Sequence, residues 1–384
     1  MEQNRFSIAC KTGDIVTLKS LDYSKIDIHA YNEEAFRWSC RYGHLPIVKF
    51  LLSLETEYGR INIHAKHEDA FRSACKYGHL QIVKFLLSLK EYGRINIHIK
   101  YESAFQWACW NGHLPIVKFL LSLESEYGRI NIHAADERPF HEACWNGHLE
   151  VVTFLLSLES EYGRIDIHAE DEGAFRYACC NGHLPIVKFL LSLEPIHGHI
   201  DIHAFDEGAF RWACSNNHLE VVKFLLSLEP EYGRIDIHAL DEWIFRFTCY
   251  NGHLDVVKYL ISLEPDHGRI DIHAYDEHAF RYACENYHLD IVKFLLSLEP
   301  EYGRIDIHVN NEDGFASGNF QIRHLLIRQD PGYNWRKFST YKLYRRKLNQ
   351  NVERLVQLHQ KMIQIDTDIL ELNVIGIVQE FLLG

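Results

Sequence analysis

Apolar residues along the chain fall into two alternating helical rhythms. Within 136–168, Phe140 and Cys144 stand four apart with Ala143 beside them, one buried stripe on an otherwise polar helix. The following block, Leu149, Val151, Val152, Phe154, Leu155 and Leu156, is far more apolar, as expected of a helix covered on most sides. Asn146-Gly147 separates the two, and glycine there supplies the left-handed conformation that ends a helix. Asp136-Glu137 opens the first helix, where a carboxylate is expected to cap free N–H groups and to sit at the positive helix end. In other copies Pro46, Pro115 or Pro185 falls in the first turn of the second helix, where an N–H has no intrahelical acceptor. Glu159 to Arg164 is then predicted as a loop and Ile165 to His168 as an extended return.

This block recurs along the chain. His-Leu places His44, His79, His113, His148, His183, His218, His253 and His288 at steps of 34 or 35 residues. Ile-His marks the same period at His29, His64, His98, His133, His168, His203, His238, His273 and His308. Self-similarity at such a period signals a stacked array, not the two or three globular domains that 384 residues would otherwise suggest. The fold predicted is an all-α solenoid of helix-turn-helix units with short extended returns. Nine units and a truncated capping tenth span residues 5–329 as one continuous stack, and a helical tail occupies 330–384. Neighbouring units must cover each apolar second helix, because a lone unit cannot.

The run Gly-His-Leu-x-Val/Ile-Val-Lys-x-Leu-Leu at the second helix resembles the ankyrin repeat, and the resemblance covers about residues 5–329. Two segments depart from the family's pattern. Glu172-Gly-Ala-Phe-Arg176 stands where Thr-Pro-Leu-His is usual, and Gly233 to Ala239 reads Gly-Arg-Ile-Asp-Ile-His-Ala in place of Gly-Ala-Asp-Val-Asn-Ala. Such variants look like the expanded arrays of large DNA viruses and of bacteria living inside amoebae. The resemblance implies a non-catalytic scaffold that binds a host or cellular protein in the concave groove lined by turn tips and first helices.

Composition adds the surroundings. No run of eighteen apolar residues occurs, and the N-terminal Met1-Glu2-Gln3-Asn4-Arg5 begins no signal peptide, so a soluble, cytoplasmic protein without a membrane partner is expected. The net charge is −13, but Arg328 to Lys361 carries nine basic residues against Asp330 and Glu353. Only that segment could meet a polyanion.

The 25 histidines and ten cysteines do not predict a metal. Both histidine series and the ladder from Cys40 to Cys284 occupy equivalent positions in successive units. Stacked helices lie about 8–10 Å apart, whereas zinc ligands converge to about 2 Å from one ion. Reduced, buried cysteines are expected, with the His-Leu histidines bonding loop backbone between units and no cofactor. Glu33–Arg37, Glu68–Arg72, Glu172–Arg176, Glu207–Arg211, Glu242–Arg246 and Glu277–Arg281 read as surface ion pairs four apart rather than as catalytic carboxylates. No phosphate loop, His-Glu-x-x-His or Gly-x-Ser-x-Gly accompanies them.

Positions that vary between near-identical units are the candidate binding residues. One precedes the first helix: Tyr31, Lys66, Lys100, Ala135, Glu170, Phe205, Leu240, Tyr275. Another ends it: Arg41, Lys76, Trp110, Trp145, Cys180, Ser215, Tyr250, Glu285. From these we take Lys66, Lys100, Phe205, Leu240, Tyr275, Trp110, Trp145 and Tyr250 as the partner-binding set, since large aromatic groups make good anchors. A third series, Trp38, Trp107, Tyr177, Trp212, Phe247 and Tyr282, interrupted by Ser73 and Glu142, reads either as groove or as packing between units. The opposite loops, such as Glu124 to Gly128, repeat almost unchanged and are assigned to solubility.

The tail carries three further expectations. Trp335 to Lys347 interleaves basic and aromatic residues, a weak nucleic-acid signal. Tyr341, Arg345, Leu348, Val352, Leu355, His359 and Met362 form a heptad seam, or else an amphipathic helix docked on the last repeat. A further helix is expected from Asp366. Viral relatives often end in an F-box-like segment that recruits a ubiquitin ligase, so the resemblance admits a substrate-adaptor alternative, although the Leu-Pro that opens such segments is absent.

Overall fold

The computed structural model describes residues 2–309, 316–331 and 350. The basic segment, the heptad seam and the final helix of the tail lie outside the described residues. Two compact units divide the chain, residues 1–239 and 240–384.

In the first unit the fifth repeat shows the construction. Its first helix is Ala134–Trp145, its second Leu149–Leu156, and Gly147 between them is left-handed at φ 80°. Phe140, Ala143, Cys144, Val151, Val152, Leu155, Ile165 and Ile167 are buried, so both predicted apolar stripes face one core. First helices pack side by side through successive repeats from Glu2–Thr12 to Ala204–Ser215. Their phenylalanines, Phe6 to Phe210, form a fully buried ladder. All ten cysteines of the chain are free thiols and only Cys180 is partly accessible. Burial pushes these thiols up, that of Cys10 to about 12.

Three expectations about local structure are corrected. Asp136 and Glu137 do not cap the first helix. Ala135, Asp136 and Glu137 have φ of 53°, 54° and 60°, and the same triple left-handed turn precedes the first helix of the other repeats from Tyr31 to Glu277. Only beyond it does regular helix begin, which leaves Pro139 in the first regular turn, where it is tolerated. Next, the Glu–Arg ladder is not the pairing seen. Glu33 is buried and its Oε1 accepts from Nδ1–H of His29 in the preceding repeat (2.8 Å) and from the Asn62 N–H of its own repeat's return (3.1 Å). Arg37 turns instead to its own turn, donating from Nε to Asn32 O (2.9 Å) and from Nη2 to Tyr31 O (3.1 Å). Arg72 and Arg176 do likewise. A left-handed L-residue costs roughly 1–2 kcal/mol, and charged hydrogen bonds of about 1.5–3 kcal/mol each offset that. Finally, Glu159–Tyr162 is one helical turn rather than loop, and 163–166 has no regular structure before Ile167-His168 turns, so the return is not a strand.

Between repeats, both histidine series bind backbone. The His-Leu histidines behave as expected: Nε2 of His79, His113, His148 and His183 donates to the carbonyls of Arg41, Lys76, Trp110 and Trp145 (2.8–3.0 Å). Their rings also explain the glycines. A Cβ on Gly147 would lie 2.6 Å from His183 Nδ1. The loops assigned to solubility are stitched together as well. The guanidiniums of Arg60, Arg94 and Arg129 donate to Glu91, Glu126 and Glu161 carbonyls of the next repeat. Those guanidiniums lie 4.1–4.5 Å over Tyr92, Tyr127 and Tyr162.

The second unit repeats the plan with first helices Ala239–Asn251 and Ala274–Glu285 and second helices Leu254–Ser262 and Leu289–Ser297. Phe320–Gln329 then packs on Leu289–Ser297 as the predicted second helix of a truncated repeat. Asn319 caps it, its Oδ1 accepting from Ile322 N–H (3.0 Å). Among the described residues no helix is long and apolar enough to cross a membrane.

Candidate protein-binding surface

The left-handed turn decides where the variable side chains go. Its first residue is exposed wherever the turn occurs, and in the repeats that carry the arginine its carbonyl is held from within, as at Tyr31, Lys66, Glu170 and Phe205. Lys66, Lys100 and Phe205 in the first unit are accordingly exposed, as are Leu240 and Tyr275 in the second. Phe205 keeps 55% of its surface in water and Tyr275 58%, large areas for aromatic side chains. The other predicted series ends the first helix, where the next repeat's histidine grips the backbone. Trp110 and Trp145 thus sit on fixed carbonyls, as does Tyr250, whose carbonyl accepts from His288 Nε2–H (2.9 Å). Trp110 and Tyr250 are exposed and Trp145 is half-buried, its ring 5.0 Å from Tyr177.

The third series proves to be half-buried packing between repeats. Trp107 lies under Arg72 of the preceding repeat, 5.1 Å from ring centre to guanidinium, with Lys76 Nζ at 4.8 Å. Arg176 reaches Trp212 at 5.6 Å and Phe205 at 4.7 Å. In the second unit Arg246 covers Tyr275 at 4.2 Å and bonds His278 Nδ1 (2.7 Å), while Phe247, Tyr250 and Tyr282 meet edge to face or tilted. Arginine therefore does two things at once: it clamps its own turn and covers an aromatic ring of the next repeat.

The fourth and fifth repeats break that pattern. Gln106 and His141 occupy the place of the arginine, and Glu142 takes the aromatic position. Gln106 Nε2 still donates to its turn, at Tyr101 O (2.7 Å). His141 does not: its Nε2 is buried with no partner in the protein. A cavity of about 360 Å3 opens there, lined by Trp110, Ala135, Arg138, His141, Glu142, Trp145, Glu170 and Tyr177. Arg138 Nε donates to Glu142 Oε1 (2.7 Å), whereas Glu142 Oε2 is buried without a partner. Tyr177 Oη–H donates to Glu170 Oε2 (3.0 Å), which stands 3.7 Å from His141 Nδ1. Burial pushes the Glu142 carboxyl above its ordinary range, against the pull of Arg138, and pushes His141 down. The structure thus brings Trp110 and Trp145 together with residues of all three variable series.

Sequence reasoning missed Arg138 and His141 as members of this site. The signal was available: six repeats carry arginine at the position that Gln106 and His141 occupy. Series that change freely stand out, whereas two departures from an otherwise fixed series do not.

The sequence matches the family model described as ankyrin repeats (3 copies) over residues 6–101, 74–171, 163–241 and 242–311. Comparison with curated proteins found no match. Proteins of this kind generally bind other proteins and are typically non-catalytic. With stacked helix-turn-helix repeats throughout the described array and a family match over most of its length, the chain belongs to the ankyrin-repeat family.

Proposed function

We propose that the chain is a non-catalytic scaffold that binds a host or cellular protein through the surface carrying its turn tips and first-helix ends. The observation that supports this is a fixed backbone with changing side chains. An arginine holds the carbonyl at Lys66 and at Phe205, and a histidine holds it at Trp110 and at Tyr250, yet the side chains above these fixed carbonyls differ. Aromatic groups held in water on a rigid frame lose little entropy on binding and serve as hot spots. Most groups that could suggest catalysis have structural roles: His79, His113, His148 and His183 bind carbonyls, and every thiol but that of Cys180 is buried.

Capture of partners from a host-cell lysate, compared with the W110A/W145A double variant, tests the reading. Loss of about 2 kcal/mol or more of binding is expected, with the melting temperature nearly unchanged. Unfolding of the double variant would make these residues core and remove the main anchors. The same capture with a chain ending at residue 329 separates the scaffold from the ligase adaptor: ligase subunits lost with the tail would support the adaptor.

A further inference from the structure

At equivalent places in the array the chain supplies its own cation. Arg72 lies over Trp107, and Arg176 over Trp212, each within 5.6 Å of the ring centre. Between the fifth and sixth repeats the arginine is replaced by the shorter, uncharged His141, which meets Tyr177 edge-on at 6.0 Å. The aromatic wall remains, in Trp110, Trp145 and Tyr177, and two carboxylates, Glu142 and Glu170, have been added to it. We propose that this cavity receives the guanidinium of an arginine on the partner protein, in the place the array elsewhere fills with its own.

The chemistry is complementary on three counts. Aromatic faces attract a cation, and a planar guanidinium stacks on them better than an ammonium does. Glu142 Oε2 is an acceptor without a donor, and rotation of the carboxyl about its last torsion brings either oxygen to the cavity. His141 Nε2, buried and unpaired, adds a polar contact that a purely apolar side chain would leave unsatisfied. Arg138 does not fill the place itself: its side chain is 60% exposed at the rim, bonded only to Glu142 Oε1. The inference rests on the protein-binding reading above and gives that surface a ligand chemistry.

The test follows the indole N–H resonances of Trp110 and Trp145, assigned with W110F and W145F, during titration of the full chain with n-butylguanidinium chloride. Saturable shifts are expected, with n-butylurea, the neutral isostere, at least about tenfold weaker and sodium chloride without effect. H141R restores the array's own arginine and should abolish the shifts while keeping the thermal midpoint. Should H141R fail to fold, E142Q carries the same test and should weaken binding about fivefold or more. Equal binding of butylurea, absence of saturation, or unchanged binding by folded H141R would each overturn the assignment. If butylguanidinium fails while W110A/W145A still loses its captured partner, only the cation assignment falls and the scaffold stands.

Discussion

Two interfaces of the same construction lie close together in the first unit. Where the third repeat meets the fourth, Arg72 is buried, donates to His67 and Lys66 carbonyls and covers Trp107. Where the fifth meets the sixth, His141 does neither, and a cavity stands in its stead. The first interface is complete by itself and the second is not. One residue serves as turn clamp and as inter-repeat cover, so its replacement frees a carbonyl pair and an aromatic face together, and Glu142, at the aromatic position of the same repeat, adds a carboxylate. In a repeat protein a binding site can therefore arise by deleting a structural contact rather than by adding a loop.

The largest expected effect tests the complete interface. Arg72→Ala removes two charged hydrogen bonds from a left-handed turn and the cover of Trp107, and should cost about 2–4 kcal/mol in chemical denaturation. His141→Ala should cost less than about 1 kcal/mol, because its Nε2 bonds nothing. Equal losses at the two positions would show that arginine and histidine do the same work and would break the comparison.

A smaller effect concerns the helix-joining glycines that both interfaces share. Gly147 has φ 80° and a Cβ there would meet His183 at 2.6 Å. Gly147→Ala should therefore cost about 1–3 kcal/mol by thermal melting, through the left-handed backbone and the displaced ring together. Loss of the His183 bond to Trp145 O would also loosen the indole. The Trp145 indole resonance should broaden or shift in this variant. Were it unmoved, the histidine grip would not be what fixes the site.

How much of this was legible beforehand follows from what each feature depends on. The two helices of each repeat, the glycine between them, the prolines of the second helix and the capping tenth repeat all follow from local period and punctuation. The exposed turn tips were found because they vary. The left-handed turn was not, because Asp136-Glu137 reads as an ordinary cap and nothing in three non-glycine residues announces positive φ. The His29–Glu33 spacing is visible as four apart, but so is Glu33–Arg37, and spacing alone favours neither. Burial chooses between them: the carboxylate points inward to the preceding repeat's histidine and to an N–H of its own repeat's return, and no local rule specifies that. The cavity depends on a contact between repeats, and only the absent arginine hinted at it.

The smallest expected effect is the pH dependence of the two histidine series, because they oppose one another. In His29, His64, His98, His133, His168, His203 and His273 burial disfavours the charge, but the glutamate four residues on and a carbonyl at the second nitrogen outweigh it, so the pKa is raised. Both ring nitrogens face acceptors, so both must donate, which only the imidazolium can do. For these, stability is fully present below the ordinary histidine pKa of about 6.5 and is lost as pH rises through the raised folded value. In His79, His113 and His148 burial lowers the pKa despite the carbonyl each one bonds. There the unfolded chain takes up protons first, so stability is present above about 6.5 and is lost as pH falls towards the lowered folded value. The stability of the array should thus pass through a shallow maximum near the ordinary histidine range, read as melting temperature against pH at fixed salt. His133→Gln should flatten the alkaline limb and leave the acid limb in place, and His148→Gln should do the reverse. If either variant changes both limbs equally, the two series are not separate titrating populations and the assignment of opposite charge states is wrong.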